Sequence, residues 1–160
     1  MQAPGVKQFR IRLAKSSEMD ELVHQRHMMF EDMRHRTAEE HAVGDESYRH
    51  WASSLIKRRL LRCYVVVNSK DEIVSGGCIW LREVQPAPGR PAGRVPYLLS
   101  MYTEPEYRRK GLATMVVKEA MRWSRNHGYK LMTLHASAKG RKVYAKLGWE
   151  RTWEMRAELE

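Results

Sequence analysis

Apolar residues recur along this chain with two different periods, and the points where the period changes divide it into elements. Phe9-Arg10-Ile11-Arg12-Leu13 alternates apolar and basic residues, which predicts a first strand. From about Met19 to Arg34, Leu22, Val23, Met28, Met29 and Met33 return at near-helical spacing. Ser16 or Ser17 is the expected cap of that helix, and Asp20 and Glu21 fall in its first turn, where the helix dipole favours acids. A second helical segment, Asp45 to Arg62, gathers Trp51, Leu55, Ile56 and Leu60 on one side. The period then shortens. Cys63 to Val67 and Ile73 to Val84 are apolar runs separated by Asn68-Ser69-Lys70-Asp71-Glu72, a strand, turn and strand that predict a hairpin.

Pro86, Pro88, Gly89, Pro91 and Gly93 mark a loop that is too short and too central to be an interdomain linker. Pro96 to Thr103 reads as a fourth strand, ended by Pro105. A third helix is expected from about Arg109 to His127, stopping at Asn126-His127-Gly128 with glycine in the favoured terminal position. Lys130 to His135 gives a fifth strand, Ala138 to Leu147 a short fourth helix, and Trp149 to Leu159 a final strand or pair. The order β, α, α, β, β, β, α, β, α, β predicts an α/β (α+β) domain, a mixed sheet with helices on both faces.

With 160 residues the chain has the size of one domain, 1–160, able to bury about 70% of its unfolded surface. Apolar residues make up 42% and charged residues 30%, as in soluble globular proteins, and no apolar run is long enough to span a bilayer. Met1 to Arg12 holds no apolar signal core, so a cytoplasmic location is expected. Cys63 and Cys78 lie inside apolar strands and are expected as buried free thiols. A net charge of +10 raises nucleic acid as a partner. The distribution argues against it: Lys and Arg are spread over the whole length, and no recognition helix, zinc-finger spacing or aromatic sheet motif appears.

One junction stands out. Tyr107-Arg108-Arg109-Lys110-Gly111-Leu112-Ala113 joins the apolar run Tyr97 to Thr103 to an amphipathic helical pattern beginning near Thr114. A helix start carries N–H groups without intrahelical acceptors and the positive end of the dipole, so a diphosphate can be held there by main chain alone. Gly111 keeps the approach open, Ala113 lets the helix sit close to the strand, and Arg108, Arg109 and Lys110 add charge. The chain has neither Gly-Lys-Ser/Thr nor Gly-x-Gly-x-x-Gly, so the P-loop and dinucleotide readings fail.

Downstream, Leu134-His135-Ala136-Ser137-Ala138-Lys139-Gly140-Arg141-Lys142-Val143-Tyr144-Ala145-Lys146-Leu147-Gly148-Trp149 ends in Tyr-x-x-Leu-Gly-aromatic. A strand, Arg-x-x-Gly-x-Ala opening a helix, another strand, and a short helix with that ending resemble the GNAT superfamily of N-acetyltransferases over roughly Pro96 to Trp153. The resemblance implies a mixed, mostly antiparallel sheet of six or seven strands, splayed between strands four and five, with about four helices. It implies acetyl-CoA as co-substrate and direct attack by the primary amine of a small molecule in a ternary complex, in a monomer or homodimer. The implied cofactor contacts are the main chain of Met101, Tyr102 and Thr103, the segment Arg108, Arg109, Lys110, Gly111, Leu112, Ala113 and Thr114, and Ser137, Arg141 and Tyr144. Ser137 stands where many members carry Asn.

Tyr144 matches a family position near the thioester sulfur. A phenol with a pKa of about 10 can protonate a departing thiolate whose pKa is about 8.5; the alternative is a tyrosine that only packs. The glutamate that histone-type members place on the fourth strand is Tyr97 here, which leaves Glu31, Asp32, Glu104 and His135, or a water chain ending on one of them, as candidate bases. In this superfamily the first two helices wall the acceptor site, so Phe30-Glu31-Asp32-Met33 is either core or acceptor wall, with entry expected between those helices and the Pro86 to Arg94 loop. A basic chain suits an acceptor bearing carboxylate or phosphate better than a polycationic aminoglycoside. Protein N-terminal or lysine acetylation and a non-catalytic acyl-CoA-binding module are the rival readings. His24 and His27 stand at helical spacing without a third ligand signal, and no metal is expected.

Overall fold

The protein's computed structural model describes residues 8–91 and 93–159, so the reading of Met1 to Lys7 lies outside the described residues. One five-stranded sheet forms with its strands in chain order: β1 (Arg10–Leu13), β2 (Leu61–Val67), β3 (Ile73–Glu83), β4 (Arg94–Thr103) and β5 (Thr133–Leu134). The pairings β1–β2, β2–β3 and β3–β4 are antiparallel, and β4–β5 is parallel. Because β2 is buried on both faces, its sequence is an apolar run with little alternation.

Helices α1 (Met19–Met33) and α2 (Ala38–Lys57) cover one face, where Leu22, Val23, Ala52 and Leu55 meet Cys63, Val65 and Val67. Helix α3 (Leu112–Asn126) covers the other, packing Leu112, Val116, Val117 and Ala120 on Tyr64, Val66, Ile79 and Leu98. The short α4 (Arg141–Lys146) joins this second layer through Tyr144 and Leu147. Two glycines in β3 let both layers approach. A Cβ on Gly76 would strike the Gln25 side chain and the Tyr64 carbonyl oxygen at 2.8 Å; one on Gly77 would strike the Met101 sulfur and Val116 at 2.9 Å. The mixed, mostly antiparallel sheet between two helical layers is the fold class that the sequence implies.

Local differences have local causes. Helix α2 begins at Ala38, seven residues before the expected Asp45, because Thr37 caps it: the Glu40 N–H donates to the Thr37 hydroxyl (3.1 Å) and the Thr37 N–H donates to the Glu40 carboxylate (2.8 Å). Neither Ser16 nor Ser17 caps α1. Both sit in a 3-10 turn held by Glu18, whose carboxylate accepts the Lys15 N–H (2.7 Å) and two bonds from Arg12 (2.8 and 2.9 Å). The Arg12 guanidinium, followed by the Lys15 N–H, holds the Glu18 pKa down at about 2 against the opposing effect of burial. β5 keeps only two of the residues expected from Lys130 to His135, and the final strand or pair expected over Trp149 to Leu159 does not form, so among the described residues the sheet has five strands and not six or seven. A two-residue β5 offers no ladder to extend, and Trp153, Met155 and Leu159 remain exposed.

Cys63 and Cys78 oppose each other on β2 and β3 as free buried thiols, with their sulfurs 3.0 Å apart. The Cys78 thiol and burial together push the Cys63 pKa far up, which keeps it protonated. Among the described residues no helix is long and apolar enough to cross a membrane.

Candidate functional site

The parallel pairing of β4 with β5 consists of Tyr97 with Thr133 and Leu98 with Leu134, and then ends. From Leu99 to Thr103, β4 has no strand partner on that side among the described residues, so the main chain of Met101, Tyr102 and Thr103 borders an open edge. On its other side β4 stays paired with β3, with a register shift where Gly76 faces Tyr102 and Cys78 faces Leu99. Ser100, at φ 55°, is the left-handed residue of this bulge. Gly77, opposite it, supplies the room that Met101 needs.

Next to the open edge, α3 starts on Gly111, whose φ of 77° is left-handed. A Cβ there would meet nothing within 4 Å, so the position requires glycine for its backbone conformation and the space above it is open. Arg109 is also left-handed, at φ 60°. The first backbone hydrogen bond of α3 runs from the Met115 N–H to the Gly111 carbonyl (3.1 Å). The N–H groups of Arg109 through Thr114 therefore have no backbone acceptor among the described residues, which is the chemistry of an anion cradle. Arg109 is exposed beside it, and Lys110 stands over the Tyr107 ring at 5.1 Å. Leu112 is buried and anchors the helix, so only its N–H can serve a ligand, while Ala113 and Thr114 are half-buried. Arg108 departs from the expectation that its cation joins this cradle: its guanidinium donates to the Thr103 carbonyl (2.9 Å) and to Asp32 on α1 (2.6 Å), fastening the end of β4 to α1.

Tyr144 on α4 packs on the same core cluster as Met101 and Tyr107, 6.0 Å from the Trp149 ring between centroids. The structure thus gathers the fourth-strand, helix-start and short-helix motifs on one side of the sheet. Burial raises the Tyr144 pKa above its ordinary value of 10, so the phenol keeps a proton to give. Ser137 starts α4 by accepting the Gly140 N–H on its hydroxyl (3.1 Å) and the Arg141 N–H on its carbonyl (3.1 Å), which leaves the hydroxyl proton free to donate. Arg141 is exposed. Two further polar groups on this side carry no sequence signal: Thr133 Oγ1 and Trp149 Nε1 are buried without a hydrogen-bond partner.

The candidate bases separate by their partners. Glu31 accepts from His41 (2.6 Å) and His35 (2.8 Å), and these two contacts hold its pKa at about 2, which makes it a poor proton acceptor and argues against that assignment. Asp32 is paired with Arg108. Glu104 holds His24 (2.9 Å) and the Tyr102 hydroxyl (3.3 Å). His135, exposed just beyond β5, has no side-chain partner among the described residues.

Across the sheet from α3, the first two helices and β4 enclose an open groove of about 610 Å³. Tyr48, Trp51 and Phe30 supply aromatic walls, Tyr97 and the bulged Ser100 form the β4 side, and no carboxylate lines it. Arg26 is its cation, held over the rings of Phe30 (4.7 Å) and Tyr48 (5.0 Å). The wall expected from the first two helices is present, and Arg26, Tyr48 and Ser100 join it without a signal in the sequence.

A family model described as the acetyltransferase (GNAT) family matches residues 26–149. No curated protein matches in sequence. Among solved structures, a GCN5-related N-acetyltransferase from Ralstonia eutropha is similar at 22% identity and a TM-score of 0.85, over 94% of this chain and 98% of that one. An acetyltransferase from Clostridium acetobutylicum, solved with acetyl-CoA, reaches 24% identity and 0.81 over 95% and 96%. An aminoglycoside N-acetyltransferase solved with a CoA-containing bisubstrate analogue reaches 17% and 0.70 over 95% and 97%. With a family model spanning most of its length and an open fourth strand beside a bare helix start, the chain belongs to the acetyltransferase (GNAT) family, whose acyl donor is acetyl-CoA.

Proposed function

We propose that the protein transfers the acetyl group of acetyl-CoA to the primary amine of a small, anion-bearing molecule by direct attack within a ternary complex. The observation that carries this reading is the adjacency of the open β4 edge and the unpaired N–H groups at the start of α3. The pantetheine arm lies along Met101, Tyr102 and Thr103 as an added strand. The diphosphate rests on the N–H groups from Arg109 to Thr114, flanked by Arg109 and Lys110. Ser137, through its hydroxyl, and Arg141 complete the cofactor side.

In the transfer, the amine nitrogen bonds to the acetyl carbon, the carbon–sulfur bond breaks with its electron pair passing to sulfur, and Tyr144 gives its proton to the thiolate. An N–H at the β4 bulge polarises the thioester carbonyl. The amine loses its proton to His135, directly or through water. Holding both substrates in this geometry supplies a large part of the rate enhancement without a covalent enzyme intermediate.

The groove favours a small acceptor with an apolar or aromatic body, and Arg26 favours one with a carboxylate or phosphate; a polycation finds no carboxylate on the lining. The same reading places the enzyme in the cytoplasm, as a monomer or homodimer, in keeping with its two free thiols. The test is CoA release with a panel of anionic amines, aminoglycosides, and peptides offering an N-terminus or a lysine. Turnover confined to anionic amines is expected. Turnover with peptides alone, or CoA binding with no acceptor turned over, would replace the reading by protein acetylation or by a non-catalytic module.

A further inference from the structure

Helices α1 and α2 each present a histidine and a carboxylate one turn apart toward the other: His27 and Glu31 on α1, His41 and Asp45 on α2. The pairs cross. His27 Nδ1 lies 2.7 Å from Asp45 Oδ2, and His41 Nε2 lies 2.6 Å from Glu31 Oε2. Between them the two imidazoles stack, with centroids 3.8 Å apart and planes 15° from parallel. Ordinary surface ion pairs do not need this arrangement. His50 and Glu46, also one turn apart on α2, form such a pair alone, with side chains 79% and 66% exposed.

We propose that His27, His41 and Asp45 hold a divalent transition-metal ion, zinc in the first instance, with Glu31 orienting the His41 ring. Ligand atoms of the three residues lie within 4.8 Å of one another. A tetrahedral shell with ligands at about 2.0–2.2 Å sets them roughly 3.4 Å apart, so the widest pair must close by up to about 1.4 Å while the 2.7 Å contact of His27 with Asp45 gives way to the ion. Asp45 Oδ1 is buried and accepts no hydrogen bond, its nearest cation being the Arg26 guanidinium at 3.6 Å, so it keeps a lone pair for a ligand at the cost of that looser ion pair. Imidazole and carboxylate donors suit zinc, and a carboxylate behind a ligating histidine is the arrangement that fixes such a ring. The two carboxylates balance the charge of the ion, while Arg26, 3.6 Å from Asp45, opposes it. His41 also lines an open cavity of about 540 Å³ together with Arg26, Phe30, Arg36 and Thr37, so solvent or a ligand can reach the remaining coordination position.

Such an ion ties α1 to α2 across the turn Arg34 to Thr37, and those helices carry Arg26, Phe30 and Tyr48 of the acceptor groove. The site stands independently of the acceptor chosen above. The test uses tag-free protein stripped with a chelator and titrated with Zn²⁺ by calorimetry, and with Co²⁺ by visible absorption. Expected are one equivalent bound with a Kd at or below about 10 µM, tetrahedral Co²⁺ bands without thiolate charge transfer, and a loss of at least about tenfold in affinity for His41→Gln and for Asp45→Asn. His50→Gln should bind as the parent does. No saturable binding below about 100 µM, thiolate bands that assign the ion to cysteine, or affinity unchanged in folded His41→Gln would overturn the proposal. Should both variants fail to fold, the Co²⁺ spectrum of the parent decides: octahedral or absent bands overturn it.

Discussion

The two sides of the β4 strand are built from different materials. On the α3 side, the groups offered to a ligand are chiefly main chain: the open edge from Leu99 to Thr103 and the N–H groups ahead of Met115, with side chains such as Arg109 and Ser137 only flanking them. On the α1–α2 side they are side chains: Arg26 over two aromatic rings, Tyr48, Tyr97 and Ser100 around the groove. Main-chain recognition constrains only backbone shape and the absence of bulk, so a few residues such as Gly111 and Ala113 suffice and many sequences comply. Side-chain recognition commits each position to one chemistry. The first side therefore suits a donor common to a whole family, and the second suits an acceptor particular to this chain.

If that division holds, substitutions on the two sides should separate cleanly in kinetics. The largest effect is expected at Tyr144, the donor-side residue whose side chain takes part in the bond-breaking step. Tyr144→Phe should lower kcat by about 100-fold with KM for acetyl-CoA within about twofold, since the phenol enters only as bonds break. Burial lifts the Tyr144 pKa above its ordinary value, so its ionisation should not appear in the parent's pH–rate profile below pH 10. Equal turnover in Tyr144→Phe, with chemistry rate-limiting, would reduce Tyr144 to packing.

Next comes Gly111→Val, where a β-branched residue must take a φ of 77° in open space. The helix start should rearrange and weaken CoA binding by about tenfold or more while α3 stays anchored by Leu112. Calorimetry giving the parent's affinity in a folded variant would remove the diphosphate from this point. The smallest effect belongs to the acceptor side: Arg26→Ala should raise KM for an anionic acceptor about five- to tenfold and leave KM for acetyl-CoA unchanged. An equal rise for both substrates would show that the two sides are not independent.

This asymmetry also explains what could be read from the sequence. The helix start and the short-helix motif are contiguous strings, and a string such as Arg108 to Ala113 carries its own geometry because a left-handed glycine before a helix has few alternatives. Strand runs that are buried on both faces, such as Leu61 to Val67, declare themselves by composition. The acceptor groove is assembled from Arg26, Tyr48 and Tyr97, which are far apart in sequence, and nothing local to any of them specifies the others. The same holds for His27 and His41, whose stacking depends on how α1 and α2 cross. Arg108 shows the converse failure. Its place beside the cradle suggested a phosphate contact, but a carboxylate from α1 lies closer, and an ion pair already made competes with one still to be made. The expected final strand failed because strand propensity needs a partner, and β5 is too short to be one.

The two-residue seam between β4 and β5 has a mechanical meaning as well. Elsewhere the sheet is stitched by long antiparallel ladders, but β5 and the α4 segment that follows it hang on Tyr97–Thr133 and Leu98–Leu134 alone, together with side-chain packing onto α3. A protein opens first where the fewest bonds must break. On the reading proposed above, this weakly stitched seam adjoins the edge along which the cofactor lies. On that same reading, a pantetheine arm laid along β4 adds bonds beside this seam, so the donor substrate also acts as a stitch, and its departure after each turnover takes that support away.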